Sequence, residues 1–184
     1  GYQAGDAVTT GQNNILMGSY AGSSFDTESY ITAVGYEAMK DAVGDTFSVA
    51  IGARSMANAD STGGQEIAIG YQAGRYFGAG TSDSVVIGGG AGAGSSSTAF
   101  GGTSVTAVGG SSLTALVSGS GVVAIGRSVL EDTVSGNATV AIGSSAGRRA
   151  LNTYNDIWIG SNAGFFAGTG TSGLSQYNIG IGVQ

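Results

Sequence analysis

Cysteine, histidine and proline are all absent from this chain of 184 residues. Without cysteine there are no disulfides and no thiol chemistry, although that absence fixes no compartment. Without histidine as well, the usual nucleophile–base pairs, zinc sites and metal-bound-water sites lack their residues, so the expectation is a protein with no cofactor and no enzymatic activity. The missing proline suits a backbone whose N–H groups are committed to sheet ladders. Charge is sparse too: 10% of residues are charged, against a usual ~25%. The net charge of −6 comes from scattered carboxylates, and Lys40, Arg54, Arg75, Arg127, Arg148 and Arg149 are the only cations. That leaves little for nucleic acid or an anionic membrane to grip. No apolar run approaches the ~18 residues that a spanning helix requires, so membrane insertion is not expected.

What the chain does have is glycine, 36 of them, and they are periodic. Val140-Ala141-Ile142-Gly143-Ser144-Ser145-Ala146-Gly147 returns in close variants at residues 15–22, 67–74 and 157–164. The central glycines of all copies are Gly1, Gly18, Gly35, Gly52, Gly70, Gly88, Gly109, Gly126, Gly143, Gly160 and Gly182, separated by steps of 17, 17, 17, 18, 18, 21, 17, 17, 17 and 22. Helix-pair repeats and propeller blades need roughly 33 to 50 residues. A period of 17 fits one circuit of a β-solenoid, and residues 1–184 read as a single shaft of about ten coils. Because the sequence starts inside a repeat, it is expected to be a segment of a longer or processed chain.

Counting from each anchor glycine, position −1 is apolar in every coil and includes Ile51, Ile69, Ile87, Ile125, Ile142 and Ile159. Position −3 is β-branched throughout, from Ile15 to Ile179. Both lie on one face of a strand, because strand side chains alternate, and both are expected to stack inside the coil as aliphatic core ladders. Position −2 points the other way and is small, as at Ala50, Ala68, Ala124 and Ala141. A small apolar residue there implies a covered second face, which a neighbouring chain would supply: thin coils gain burial by oligomerising. The alanine column is therefore the expected seam.

Position +4 reads Gly5, Gly22, Met39, Met56, Gly74, Gly92, Leu113, Leu130, Gly147, Gly164, so the large residues come in pairs, Met39 with Met56 and Leu113 with Leu130, expected to touch between successive coils. Val43, Val117, Val134 and Leu151 at −9 fit a return strand, and the Ser118–Gly121 and Ser135–Asn137 clusters read as tight turns.

Two insertions break the plan. One runs from Arg75 through Tyr76 and Phe77 to Ser84, and the other from Phe165 and Phe166 to Gly173. Gly168–Gly173 spells a dinucleotide fingerprint by letter, but it follows no parallel strand and opens no helix. The carboxylate pairs Asp26 with Glu28 and Glu131 with Asp132 do not recur in other coils and read as solvated turn residues. Asn137-Ala138-Thr139 is a sequon by letter, read as coincidence.

The recurring Val-Ala-Ile-Gly-x-x-Ala/Ser at 49–55 and 140–146, with Ile replacing Val at 67–73, resembles the YadA-type head repeat of trimeric autotransporter adhesins. The Ala-Ile-Gly-Tyr-Gln-Ala-Gly form is closer still to repeats of bacteriophage tail-fibre and other virion fibre proteins. The resemblance spans nearly the whole chain and implies an all-β, left-handed parallel β-roll assembled as a homotrimer, with the Ala-Ile-Gly strands near the axis. It further implies a structural and adhesive fibre shaft of a virion, partnered by itself and by other fibre or tail proteins and supporting attachment to a host. The alternatives are the head of a bacterial surface adhesin and an ice-binding or matrix solenoid; the threonines do not align in the single column that ice binding would want. For contact with a host-surface glycan the candidates are Tyr76, Phe77, Asp83, Phe165 and Phe166, with Ser82 and Thr171 as hydrogen-bonding neighbours. The competing reading is that these rings cap the core or pack between chains.

Overall fold

The structure is a computed structural model that describes residues 1–60, 64–167 and 174–183. Among them there is no helix, and the strands pair in parallel to form a β-solenoid with coils of roughly 17 residues. Ten strands of three residues each, from Ile15–Met17 to Ile179–Ile181, make the main sheet, one strand per repeat. Pairing is in register: Val123, Ala124 and Ile125 lie opposite Val140, Ala141 and Ile142. Nine strand spacings of ~4.8 Å make this sheet about 43 Å long. The longest steps leave the register untouched, since Ile87 still faces Val108 and Ile159 still faces Ile181. Their extra residues are therefore accommodated away from this sheet.

The second sheet differs from expectation. Its five strands are Gly102–Thr103, Ser118–Ser120, Ser135–Asn137, Asn152–Tyr154 and Leu174–Gln176. The serine and glycine clusters read as turns are thus strands, while Val117, Val134 and Leu151 lie just before them and point outward. Closeness explains the glycines: a β-carbon on Gly119 would sit 2.0 Å from the carbonyl oxygen of Gly136. In two earlier coils the equivalent positions hold carboxylates, Glu28 and Asp45. Glu28, which is buried rather than solvated, accepts hydrogen bonds from the backbone N–H groups of Asp26, Thr27 and Gly44. A side-chain acceptor there competes with a ladder for the same donors, and no second sheet forms in those coils.

The two faces of the main strands are reversed relative to the sequence reading. Ala33, Ala50, Ala68, Ala107, Ala124 and Ala141 are fully buried inside the coil, whereas Ile51, Ile125, Ile142 and Ile159 are between 36% and 39% exposed, and Ile69 and Ile87 are part-exposed. The alanines expected at a seam line the interior, and the isoleucines expected in the core ladder face outward. The cause is the width of the coil. The alanine column is covered by the chain's own next leg, where Ala21, Ala38, Ala73, Ala91 and Ala146 at +3 are also buried. Where that leg carries a serine, its hydroxyl is satisfied: Ser55 Oγ donates across the gap to the Ala68 carbonyl at 2.8 Å, and Ser112 Oγ to the Gly109 carbonyl of its own turn at 2.9 Å. A solenoid therefore forms even though the Ile and Val columns face outward.

The anchor glycines hold φ between 126° and 139° from Gly18 to Gly182, a region closed to residues with a β-carbon. They also stack: a β-carbon on Gly109 would lie 2.3 Å from the Gly126 carbonyl oxygen. Position +4 is left-handed in both its forms, with φ 50° at Met39, Met56 and Leu113 and 58° at Gly74 and Gly147. All four large residues at +4 are buried in the common core. Where +4 is glycine, a ring or a long side chain from elsewhere fills the space. Gly74 makes room for Phe77, Gly22 for Phe25 and Leu16, and Gly147 and Gly164 for Trp158. Pairing of +4 residues is thus one half of a volume exchange that keeps the coils filled.

Candidate functional site

With alanine turned inward, the outward face of the main sheet presents two aliphatic columns. They run Thr106, Val123, Val140, Ile157 at −3 and Val108, Ile125, Ile142, Ile159 at −1 through the later coils, and Val49, Ile67, Val85 with Ile51, Ile69, Ile87 through the earlier ones. β-Branched side chains suit a pleated surface that other atoms cover. No charged residue interrupts these columns. In the early coils the strip is widened by aromatic rings. Tyr30 and Phe47, both exposed, stack at 4.8 Å with an interplanar angle of 10°. Phe47, Val49, Gln65 and Ile67 line a shallow groove of about 500 Å³ beside it. Apart from Thr32 and Thr106, the two columns are apolar along the whole sheet.

The aromatic insertion residues separate into different roles. Phe77 is buried and packs against Phe100 at 5.2 Å between ring centroids, so it belongs to the core and is withdrawn from any ligand. Tyr76 stays half-exposed at the surface with the Arg75 guanidinium 4.9 Å from its ring. Asp83 is exposed at the left-handed corner before the strand, with φ 50°, on a different leg from Tyr76. Phe165 is half-buried and Phe166 exposed, their rings 4.7 Å apart, and Arg149 lies 5.6 Å from the Phe166 ring. Ser82 bridges in parallel to Thr103. Thr171 and the rest of Gly168–Gly173 lie outside the described residues.

Coil stacking also gathers charges that are far apart in sequence. Glu37 accepts from Arg54 Nε at 2.7 Å one coil away, and Lys40 lies 3.9 Å from both Glu37 and Asp41. Burial pushes the Glu37 carboxyl up, but hydrogen bonds from Arg54 and Tyr36 and the charges of Arg54 and Lys40 outweigh it and hold the group below its ordinary value. The same bond to Glu37 raises the Arg54 guanidinium. Glu131 and Arg148 repeat the arrangement near the other end, again at 2.7 Å. The sequence carried a signal for this, because paired residues lie 17 positions apart, the coil period itself.

Among the described residues no three carboxylates converge as metal ligands, and no helix is long and apolar enough to cross a membrane. Compared with known proteins, the chain matches no protein-family model, no curated protein sequence and no solved structure.

Proposed function

We propose that this chain is the shaft of a structural and adhesive fibre, three parallel copies turning their aliphatic strips toward a common axis. The observation that carries the reading is the exposure of the Ile and Val columns beside fully buried alanines. A narrow, glycine-rich coil buries little surface alone and loses much backbone entropy on folding, so covering a ~43 Å apolar strip supplies what one chain lacks. Burial supports the choice of seam; the number three and the virion setting, with support of host attachment as the task, rest on the repeat resemblance.

The test is the solution mass. Light scattering and sedimentation of the native protein should give three times the 17.9 kDa chain mass, with a melting temperature that rises with protein concentration. A folded, concentration-independent monomer would falsify the proposal.

A further inference from the structure

We infer that two surface clusters of similar composition, centred on Arg75 with Tyr76 and on Arg149 with Phe166, bind carboxylate-bearing sugars. Five of the six cations of this acidic chain, Lys40, Arg54, Arg75, Arg148 and Arg149, fall into two groups on the legs that follow the main strands. Within each group the residues six positions after the anchor stack coil on coil. Asp41, Asn58 and Tyr76 do so in the first group, and Asp132, Arg149 and Phe166 in the second. Each group brings together an aspartate, an arginine and an aromatic ring, with Arg75 beside Tyr76 on one coil in the first and Arg149 one coil before Phe166 in the second.

The first cluster is held in place by its own hydrogen bonds. Ser24 Oγ donates to Asp41 Oδ1 at 3.2 Å, Asn58 Nδ2 to Asp41 Oδ2 at 3.3 Å, and Arg75 Nε to Asn58 Oδ1 at 3.4 Å. A polar groove of about 230 Å³ is lined by Asp41, Asn58 and Arg75 together with Lys40 and the Glu37–Arg54 pair. The second groove, about 400 Å³, is lined by Asp132, Arg149, Leu151 and Phe166.

The arginines divide by what they already hold. Arg54 and Arg148 are committed to Glu37 and Glu131. Arg75 and Arg149 have no carboxylate within ion-pair distance among the described residues; each lies beside an aromatic ring instead. Internal ion pairing accounts for the first two and leaves the second two without an anion. A guanidinium fork with its terminal nitrogens uncommitted to an acid matches a carboxylate bidentately. The adjacent ring offers an apolar platform for a sugar face, and Asp41, Asn58 and Asp132 accept from hydroxyl groups. Hexuronic and nonulosonic acids share this chemistry. The two arginines lie four coil steps apart, about 19 Å along the shaft, so a polymer could engage both and gain avidity.

This inference gives a ligand class to the adhesive part of the proposed function and is tested independently of the seam. Affinity electrophoresis of the native oligomer is run against polygalacturonate, polysialic acid and neutral pullulan at roughly 50 mM salt, where surface charge is weakly screened. Retention by at least one acidic polymer and none by pullulan is expected. Arg75→Gln and Arg149→Gln should each weaken it about tenfold, the double substitution should remove it, and the melting temperature should stay unchanged, because neither guanidinium holds an ion pair. Arg75→Lys with Arg149→Lys keeps the charge but not the fork and should also weaken retention. Arg127→Gln, outside both clusters, should not. The inference fails if neither acidic polymer is retained, if pullulan is retained equally, if the double glutamine or double lysine protein binds like the parent, or if Arg127→Gln matches the cluster variants. Solution mass reports the seam and retention reports the clusters, so either idea can fail alone.

Discussion

A β-carbon placed on Gly147 would lie 2.4 Å from the ring of Trp158, which reaches back from the next coil, and 2.7 Å from the Leu130 side chain of the preceding one. The coil between has only small side chains at its buried positions, among them Thr139, Ala141, Ala146 and Ala150, beside Gly147. One indole therefore fills space that another repeat leaves empty. Gly147→Ala should cost about 2–4 kcal/mol, combining overpacking with a side chain at φ 58°. Thermal unfolding measures the loss. Trp158 is the only tryptophan, so its emission should shift to the red if the ring is displaced; unchanged stability and emission would contradict the packing.

Ala141 and Ile142 are neighbours with opposite fates, 0% and 36% exposed. Ala141→Lys would place an unpaired charge inside the coil and should prevent folding, read as loss of the β signal in circular dichroism. Ile142→Lys puts the charge on the strip and should leave the coil's backbone pattern intact while shifting sedimentation from trimer toward monomer. The opposite pattern would restore the alanine column as the seam.

Leu113 is fully buried yet sits at φ 50°. Removing its side chain should cost about 2–5 kcal/mol. At an ordinary φ, alanine is the milder replacement; here glycine should be milder by about 1 kcal/mol, because the left-handed strain disappears with the β-carbon. Chemical denaturation of Leu113→Ala and Leu113→Gly side by side gives the order.

The Glu37–Arg54 pair predicts a dependence on acidity. With the folded carboxyl below its ordinary value of 4.5, its contribution is present above that value and is lost as the pH falls through the lower folded value. The melting-temperature gap between the parent and Arg54→Gln should therefore narrow on acidification from neutral pH, and added salt should narrow it as well. A gap that widens in acid would show that the pair does not stabilise the fold through its charge.

Repeat length, all-β character and in-register strands were legible because each depends on spacing: anchors 17 apart and unbroken β-branched columns need no three-dimensional information. Facing was not legible. An alternating strand tells which residues share a face but not which face is inside, and side-chain size alone points the wrong way here. The decisive signal was the second alanine column at +3, which matches the one at −2 and leaves the coil too narrow for isoleucine. Ser118–Ser120 and Ser135–Asn137 have a composition that favours turns, while stacking on in-register neighbours makes them a ladder. Phe77 looked like a contact residue until Gly74 opened a place for it in the core. The charge clusters were invisible to a scan for runs, because coil stacking rather than chain order brings Asp41, Asn58 and Arg75 together.

In-register pairing gives the coil a mechanical character. Each strand of the main sheet bonds only to the strands directly above and below it, so tension applied to the two ends of one chain concentrates on the outermost rung and not on the whole ladder. Such a chain peels. Each failing coil of 17 residues would release about 60 Å of contour length, and the rupture force would repeat from step to step with the period that is written in the glycines.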